Sequence, residues 1–255
     1  MEWMLPSHLT PAIVALAAVA FLAGGLVKGI VGIGLPMVVV PLLASLLPPP
    51  VAVAWMTVPV LASNLWQAFH GRLYRQTFRR FWPLVVTLAV ASAAGAQVLT
   101  RIDVRMASLV LGALVALFCI GELMPARVRV PERLERVLNP AVGVAAGLLG
   151  GVSNLFGPPI AVYLIALRLP KDLLVATAAL CFLFGGVPLY ASLAAGGVLG
   201  PSELAASALG AVPVLAGTWL GLRLRDRIDQ RTFQRLLLAV LVLVGVNLMR
   251  RGLGL

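Results

Sequence analysis

The chain has 255 residues, of which 61% are hydrophobic and 11% charged, and its formal net charge at pH 7 is +11. A mean hydropathy of +1.02 excludes a water-soluble protein with a buried core, because one long apolar run follows another. The positive charge is mostly arginine in short loops, which is the pattern that sets membrane orientation, so no nucleic-acid partner is predicted. The sequence predicts an all-α polytopic membrane protein embedded in a lipid bilayer.

The first apolar segment, residues 11–46, predicts a helical hairpin that is broken in its middle. The break contains Gly32, Gly34 and Pro36. Lipid cannot hydrogen-bond freed peptide groups, so irregular backbone at this depth must be buried in protein or line a polar cavity. Proline suits the first turn of a helix, and Pro36 therefore predicts the start of a second half-helix.

Lys28 is the one Lys or Arg inside an apolar segment, 17 residues after the first run begins at Pro11. A cation at such depth usually faces the interior of the helix bundle and takes a counter-charge. The acidic residues other than Glu122 fall in loops or at segment ends. We therefore expect Lys28 to attract a small anionic substrate. The alternative is that its side chain snorkels to the membrane interface.

Three further spans complete a predicted first repeat, residues 1–124. They are residues 51–69, 82–99 and 104–124. Thr57 and Asn64 lie seven residues apart in the first of these spans and so share a helix face. Both are candidate substrate-binding residues, with hydrogen bonds to neighbouring helices as the alternative role.

The second half of the chain repeats this order after a predicted cytoplasmic linker, residues 125–139. The predicted second repeat, residues 140–255, has a broken hairpin at 140–168 and spans at 173–195, 202–222 and 233–249. The segment Arg-Ile-Asp-Val-Arg at 101–105 recurs as Arg-Ile-Asp-Gln-Arg at 227–231. Internal duplication is the simplest explanation of this likeness.

The break in the second hairpin carries polar and helix-starting residues together. They are Ser153, Asn154, Gly157, Pro158 and Pro159. Broken segments at matching places in two halves are typical of a transporter's binding site, and the N-termini of half-helices attract anions. The sequence thus predicts a substrate site at the membrane midplane between the two broken helices, worked by alternating access. Close packing of small residues is the alternative role of the glycines.

The Lys and Arg residues in short loops predict the orientation. If each broken hairpin enters and leaves on one face, 15 of these residues lie inside and 4 outside. This count favours two inverted repeats, each a Gly/Pro-broken hairpin plus three transmembrane helices, with both chain ends outside. The alternative fold, eight straight transmembrane helices, gives no charge bias. Residues 11–46 are long enough for either a re-entrant loop or two short crossings.

The sequence predicts no catalytic residue, no cofactor and no metal site, so an enzyme is not expected. Cys119 and Cys181 are single and lie inside apolar spans, which favours packing over a redox function. No phosphate-binding loop motif of an ATP-driven pump occurs. A coupling ion, H⁺ or Na⁺, and an oligomeric state are not predicted. A non-transporting membrane scaffold or assembly factor is the alternative function.

Two motifs carry a resemblance to a known family. They are Val-Lys-Gly-Ile-Val-Gly-Ile-Gly-Leu-Pro at 27–36 and Gly-Pro-Pro-Ile-Ala-Val-Tyr-Leu at 157–164. With Leu-Pro-Lys-Asp at 169–172, the chain resembles the sulfite exporter TauE/SafE family over nearly its full length. The resemblance implies a multi-pass transporter of the bacterial inner membrane that exports sulfite or small organosulfur anions. Many members carry a triple glycine after the first Gly-x-Gly, where this chain has Leu35 and Pro36.

Overall fold

A computed structural model describes residues 11–32, 34–70, 73–123, 129–224 and 230–254. All regular secondary structure in these ranges is helical. A single 3₁₀ turn, Glu132–Leu134, precedes α7. The helices are α1 (Pro11–Val31), α2 (Leu35–Ala44), α3 (Pro49–Ala54), α4 (Thr57–His70), α5 (Tyr74–Arg101), α6 (Val104–Leu123), α7 (Glu135–Ser153), α8 (Gly157–Ala166), α9 (Lys171–Ala195), α10 (Pro201–Leu224) and α11 (Gln230–Leu253).

Seven segments in the described part of the chain are long and apolar enough to cross a membrane, which agrees with a multi-pass protein. They are Pro11–Val31, Pro49–Phe69, Tyr74–Arg101, Val104–Gly121, Glu132–Ser153, Asp172–Ala195 and Pro201–Leu224. By contrast, α2 and α8 have 10 residues each, or about 15 Å of helix, too short for a hydrocarbon core of about 30 Å. Each broken segment thus pairs one long helix with one short half-helix, and the choice between inverted repeats and eight straight helices stays a prediction from the charge pattern.

The chain folds into two compact units, and each unit takes segments from both halves of the sequence. The first contains residues 1–59, 101–124 and 196–255, and the second contains residues 60–100 and 125–195. The predicted repeats, 1–124 and 140–255, are thus not the same as the compact units. Their inverted relation stays a prediction from the charge pattern.

In the first unit, α1 and α10 touch along their backbones because glycines face each other. A Cβ on Gly25 would overlap the carbonyl oxygen of Val214, and one on Gly29 would overlap that of Thr218. Gly221 in turn lies against the carbonyl oxygen of Leu26. Small residues permit this close approach of membrane helices, so the packing role proposed for glycines holds at these positions.

In the second unit, α5 packs in the same way against α7, and it is hydrogen-bonded to α9. Gly143 and Gly147 of α7 lie against the backbone carbonyls of Leu84 and Leu88. The buried Ser92 hydroxyl of α5 donates to a carbonyl oxygen of α9 over 2.7 Å. A buried hydroxyl needs such a partner in lipid, so this bond fixes the register of α5 and α9.

The second predicted span is interrupted, and hydropathy did not indicate this. Helices α3 and α4 are joined by a turn at Trp55. The Thr57 hydroxyl donates to the Ala54 carbonyl over 2.7 Å, and the Val58 N–H donates to Ser207 Oγ of α10 over 2.9 Å. Side chains thus satisfy backbone groups that a continuous helix would have paired internally.

Candidate functional site

The first break is a left-handed turn that glycine makes possible. Helix α1 ends at Val31, and the Gly32 N–H donates to the Lys28 carbonyl over 2.7 Å. Gly32 has a φ of 92° and Gly34 a φ of 106°. Residues with a Cβ are strained at such angles, so the backbone path through this break depends on glycine.

Helix α2 begins directly after this turn with its N-terminus uncapped. Among the described residues, no side chain caps the helix at Gly34, and Pro36 occupies the second helical position. The N–H groups of a first turn have no acceptor within the helix, and they form the positive end of its dipole. The start of α2 is therefore suited to an anion.

Lys28 lies in the last turn of α1, four residues before Gly32, and its exposed fraction is only 6%. Its neighbour Gly29 packs directly on the backbone of α10. The burial argues against the snorkelling alternative, because a snorkelling ammonium would be exposed. Lys28 and the start of α2 at Leu35 thus lie on either side of the same left-handed turn, seven residues apart in the chain.

The second break is a left-handed turn at asparagine, at the end of α7. Asn154 has a φ of 61°, and its N–H donates to the Gly150 carbonyl over 2.6 Å. The Ser153 hydroxyl donates to the Leu149 carbonyl over 2.7 Å and accepts the Leu155 N–H over 3.2 Å. Asparagine adopts this conformation more readily than most residues. The Ser153 hydroxyl proton is engaged in capping the turn.

The aromatic ring of Phe156 holds the second break in place. It fills a notch beside Gly150 of α7 and Gly185 of α9, where any added Cβ would overlap the ring. Phe156 is 1% exposed, and its ring also lies 6.4 Å from that of Phe182, centroid to centroid. Packing therefore fixes the position from which α8 starts.

Helix α8 starts in the same way as α2. Gly157 is its first residue and is buried, Pro158 follows in the second position, and Pro159 comes next. In the part of the chain that the structure describes, no side chain caps this helix start either. Each compact unit therefore contains one proline-containing half-helix of 10 residues whose start no described side chain caps.

The side-chain amide of Asn154 is only partly hydrogen-bonded. Its Nδ2 lies 3.0 Å from the Tyr190 hydroxyl, whereas its buried Oδ1 has no partner among the described residues. The other buried side-chain atoms in this situation are Trp55 Nε1 and Thr77 Oγ1. An unpaired buried polar atom is costly, so each of these atoms is a candidate contact for a ligand or a water molecule.

Thr57 and Asn64, both on α4, are buried at 6% and 2% exposure. The Thr57 hydroxyl proton goes to the Ala54 carbonyl, and Asn64 Nδ2 donates to the Val60 carbonyl over 2.9 Å. These bonds support the structural role that the sequence left as an alternative. Binding of substrate by either residue stays a prediction.

Trp55, in the first unit, has a buried polar N–H that the sequence did not indicate. It lies at the turn between α3 and α4, and its side chain is 4% exposed although its indole N–H has no partner among the described residues. A buried indole N–H normally finds an acceptor. The sequence around Trp55 is an apolar run and did not mark it as a candidate site residue. Only the turn between α3 and α4 distinguishes it from the other residues of the span.

Long apolar helices, two backbone breaks and a buried lysine define a polytopic membrane protein of the discontinuous-helix class. Residues 16–248 match the family described as Sulfite exporter TauE/SafE, and the chain belongs to this family. The family resemblance read from the two motifs is thereby confirmed. Neither the curated proteins nor the solved structures gave a match.

Proposed function

We propose that this protein exports a small anion, sulfite or an organosulfur anion, across the bacterial inner membrane by alternating access. The observation that carries the proposal is the buried Lys28 in the last turn before the break that starts α2. Membership of a sulfite exporter family gives the class of substrate. The sequence prediction of a site between the two broken helices is kept in this proposal, and each break does start a helix that no described side chain caps.

The chemistry required is to replace the hydration shell of an anion. Backbone N–H groups at the start of α2 and α8 supply hydrogen bonds without a competing counter-charge. Lys28 supplies a compact positive charge on a flexible stem, which follows the anion over a short distance.

Flux through proteoliposomes tests the function. The flux is compared for five solutes, each with and without a pH or Na⁺ gradient: sulfite, sulfate, taurine, sulfoacetate and chloride. We expect transport of sulfite or an organosulfonate above that of chloride. If no anion in the panel moves faster than through protein-free liposomes, the scaffold alternative replaces the transporter proposal.

Asn154→Asp should weaken apparent substrate affinity by about tenfold or more. Rotating the amide of Asn154 keeps its bond to Tyr190, whose hydroxyl then donates, and turns the NH₂ group towards the unpaired position. An aspartate keeps the shape and tolerates the left-handed turn, but its charge repels an anion. Concentration dependence of flux measures the change. Asn154→Gly should have a smaller effect, since it keeps the turn and removes only the amide.

Asn139→Asp is the matched control for this substitution. Asn139 is also on α7, is 3% exposed, and accepts a hydrogen bond from the Tyr163 hydroxyl over 2.7 Å. The Asn139→Asp variant also places a carboxylate beside a tyrosine, but at a position fifteen residues before Asn154 and the second break. Equal loss of affinity in both variants would mean that buried negative charge is disruptive anywhere in α7, and Asn154 would have no special role.

Cysteine labelling in intact cells should place both chain ends outside and residues 70–80, 125–138 and 223–232 inside. The count of 15 against 4 basic residues motivates this topology. A contact in the first unit supports it, because Arg251 in the last turn of α11 donates to the Ala44 carbonyl over 2.9 Å. The end of the first hairpin thus lies beside the end of α11, as expected if both are on the outer side. A cytoplasmic C-terminus together with cytoplasmic residues 70–80 would contradict the inverted-hairpin arrangement.

A further inference from the structure

A groove rich in arginine and aromatic residues lies along the first turns of α5, within the second compact unit. Its volume is about 1110 Å³. Its lining includes Tyr74, Arg75, Phe78, Arg79 and Trp82. Phe78 is 41% exposed and Trp82 54%. Exposed aromatic rings next to arginine are typical of the membrane–water interface.

Two of the arginines in this groove differ from the third in having no acidic partner in the described part of the chain. Arg80 is used internally, because its Nε donates to Glu135 over 3.0 Å and its guanidinium lies 3.4 Å from Glu132. Arg75 and Arg79 are exposed and have no acidic partner among the residues that the structure describes. The groove therefore presents a net positive charge to the interface.

A second groove lies between α5 and α9, further along α5. Its volume is about 570 Å³, and every residue that lines it is apolar. Val90 and Ala93 of α5 form one wall, and Phe184 and Val187 of α9 form the other. The ring of Phe184 lies 5.9 Å, centroid to centroid, from that of Phe78 in the arginine groove. The aromatic pair joins the charged groove to the apolar one.

We propose that the two grooves together bind one anionic phospholipid. Arg75 and Arg79 bind its phosphate, since guanidinium groups match phosphate oxygens in charge and geometry, and an acyl chain lies in the apolar groove. Arg79 and Val90 are eleven residues apart on α5, across a kink at Phe81, so their separation along the helix is at most about 16 Å, comparable to the roughly 15 Å of hydrocarbon in one leaflet. The predicted inside position of residues 70–80 places this site in the leaflet that carries anionic lipids.

Native mass spectrometry of the full-length protein, with defined lipids added to the detergent-solubilised sample, tests this site. Phosphatidylglycerol should bind more tightly than phosphatidylcholine. The double variant Arg75→Gln/Arg79→Gln should lose about tenfold or more of this preference, because near-surface arginines provide it. Ala93→Phe, which fills the apolar groove and leaves the charge unchanged, should weaken binding of both lipids.

The matched control is Arg101→Gln/Arg105→Gln, which removes two equally exposed arginines elsewhere and should leave the preference unchanged. Inorganic phosphate at millimolar concentration should not displace the lipid. Displacement by phosphate would show that the groove binds a free anion rather than a lipid. Equal binding of both lipids by the unaltered protein, or an unchanged preference in the Arg75/Arg79 variant, would also overturn the proposal. None of these results depends on the identity of the transported anion.

Discussion

Replacing Gly34 by leucine should abolish anion flux while leaving membrane insertion largely intact. Gly34 has a φ of 106°, where a residue with a Cβ is strained by about 1–2 kcal/mol. A Cβ by itself would not clash, since its nearest neighbour, a methyl of Val27, would be at 3.6 Å. The backbone must therefore turn away from its present path, and the start of α2 turns with it. Proteoliposome flux normalised to inserted protein measures the effect.

Gly34→Ala separates backbone strain from side-chain bulk. It should lower flux by at least about tenfold if anion binding depends on the direction in which the first N–H groups of α2 point. Gly121→Ala is the matched control, because this helical glycine of α6 has nothing within 4 Å of an added Cβ. It should transport normally. We expect Gly157→Leu, at the buried first residue of α8, to abolish flux as well. If the leucine variants at both breaks transport normally, the site lies elsewhere.

Lys28→Gln should weaken apparent anion affinity by about 10- to 100-fold. A hydrogen bond to a charged group contributes about 1.5–3 kcal/mol, and each 1.4 kcal/mol is a factor of ten. The glutamine keeps most of the volume of this buried side chain and a hydrogen-bond donor, but removes the charge. Affinity is measured from the concentration dependence of sulfite flux, and the same series at several pH values reports whether the anion moves together with a proton on Lys28.

Lys28→Arg should keep the charge and still impair transport, because a planar guanidinium does not fit a site shaped for a compact ammonium. The other lysine of the chain, Lys171, provides the matched control. It lies at the start of α9, and Lys171→Gln should leave affinity unchanged. A Lys28→Gln protein with the affinity and pH profile of the unaltered chain would show that Lys28 is structural.

Much of the architecture was readable from sequence because lipid imposes simple rules. Apolar length predicted the spans, and glycine with proline inside an apolar run predicted both breaks, since a bilayer tolerates irregular backbone only where protein protects it. Lys28 was identifiable because charge is rare at that depth. The motifs around Gly34 and Gly157 also identified the family, which the match over residues 16–248 confirms.

Only the tertiary structure decided which polar groups are already paired, because hydrogen-bond partners come from distant parts of the chain. Ser207, 149 residues after Val58, supports the turn at Trp55 that interrupts the second span. The Tyr190 hydroxyl is hydrogen-bonded to Asn154 Nδ2, whereas Asn154 Oδ1 has no partner among the described residues. Hydropathy averages along the chain, whereas these bonds depend on which helices pack together. Sequence thus determined the two breaks that contain glycine and proline, and packing determined the turn at Trp55 and which polar groups beside the breaks are paired.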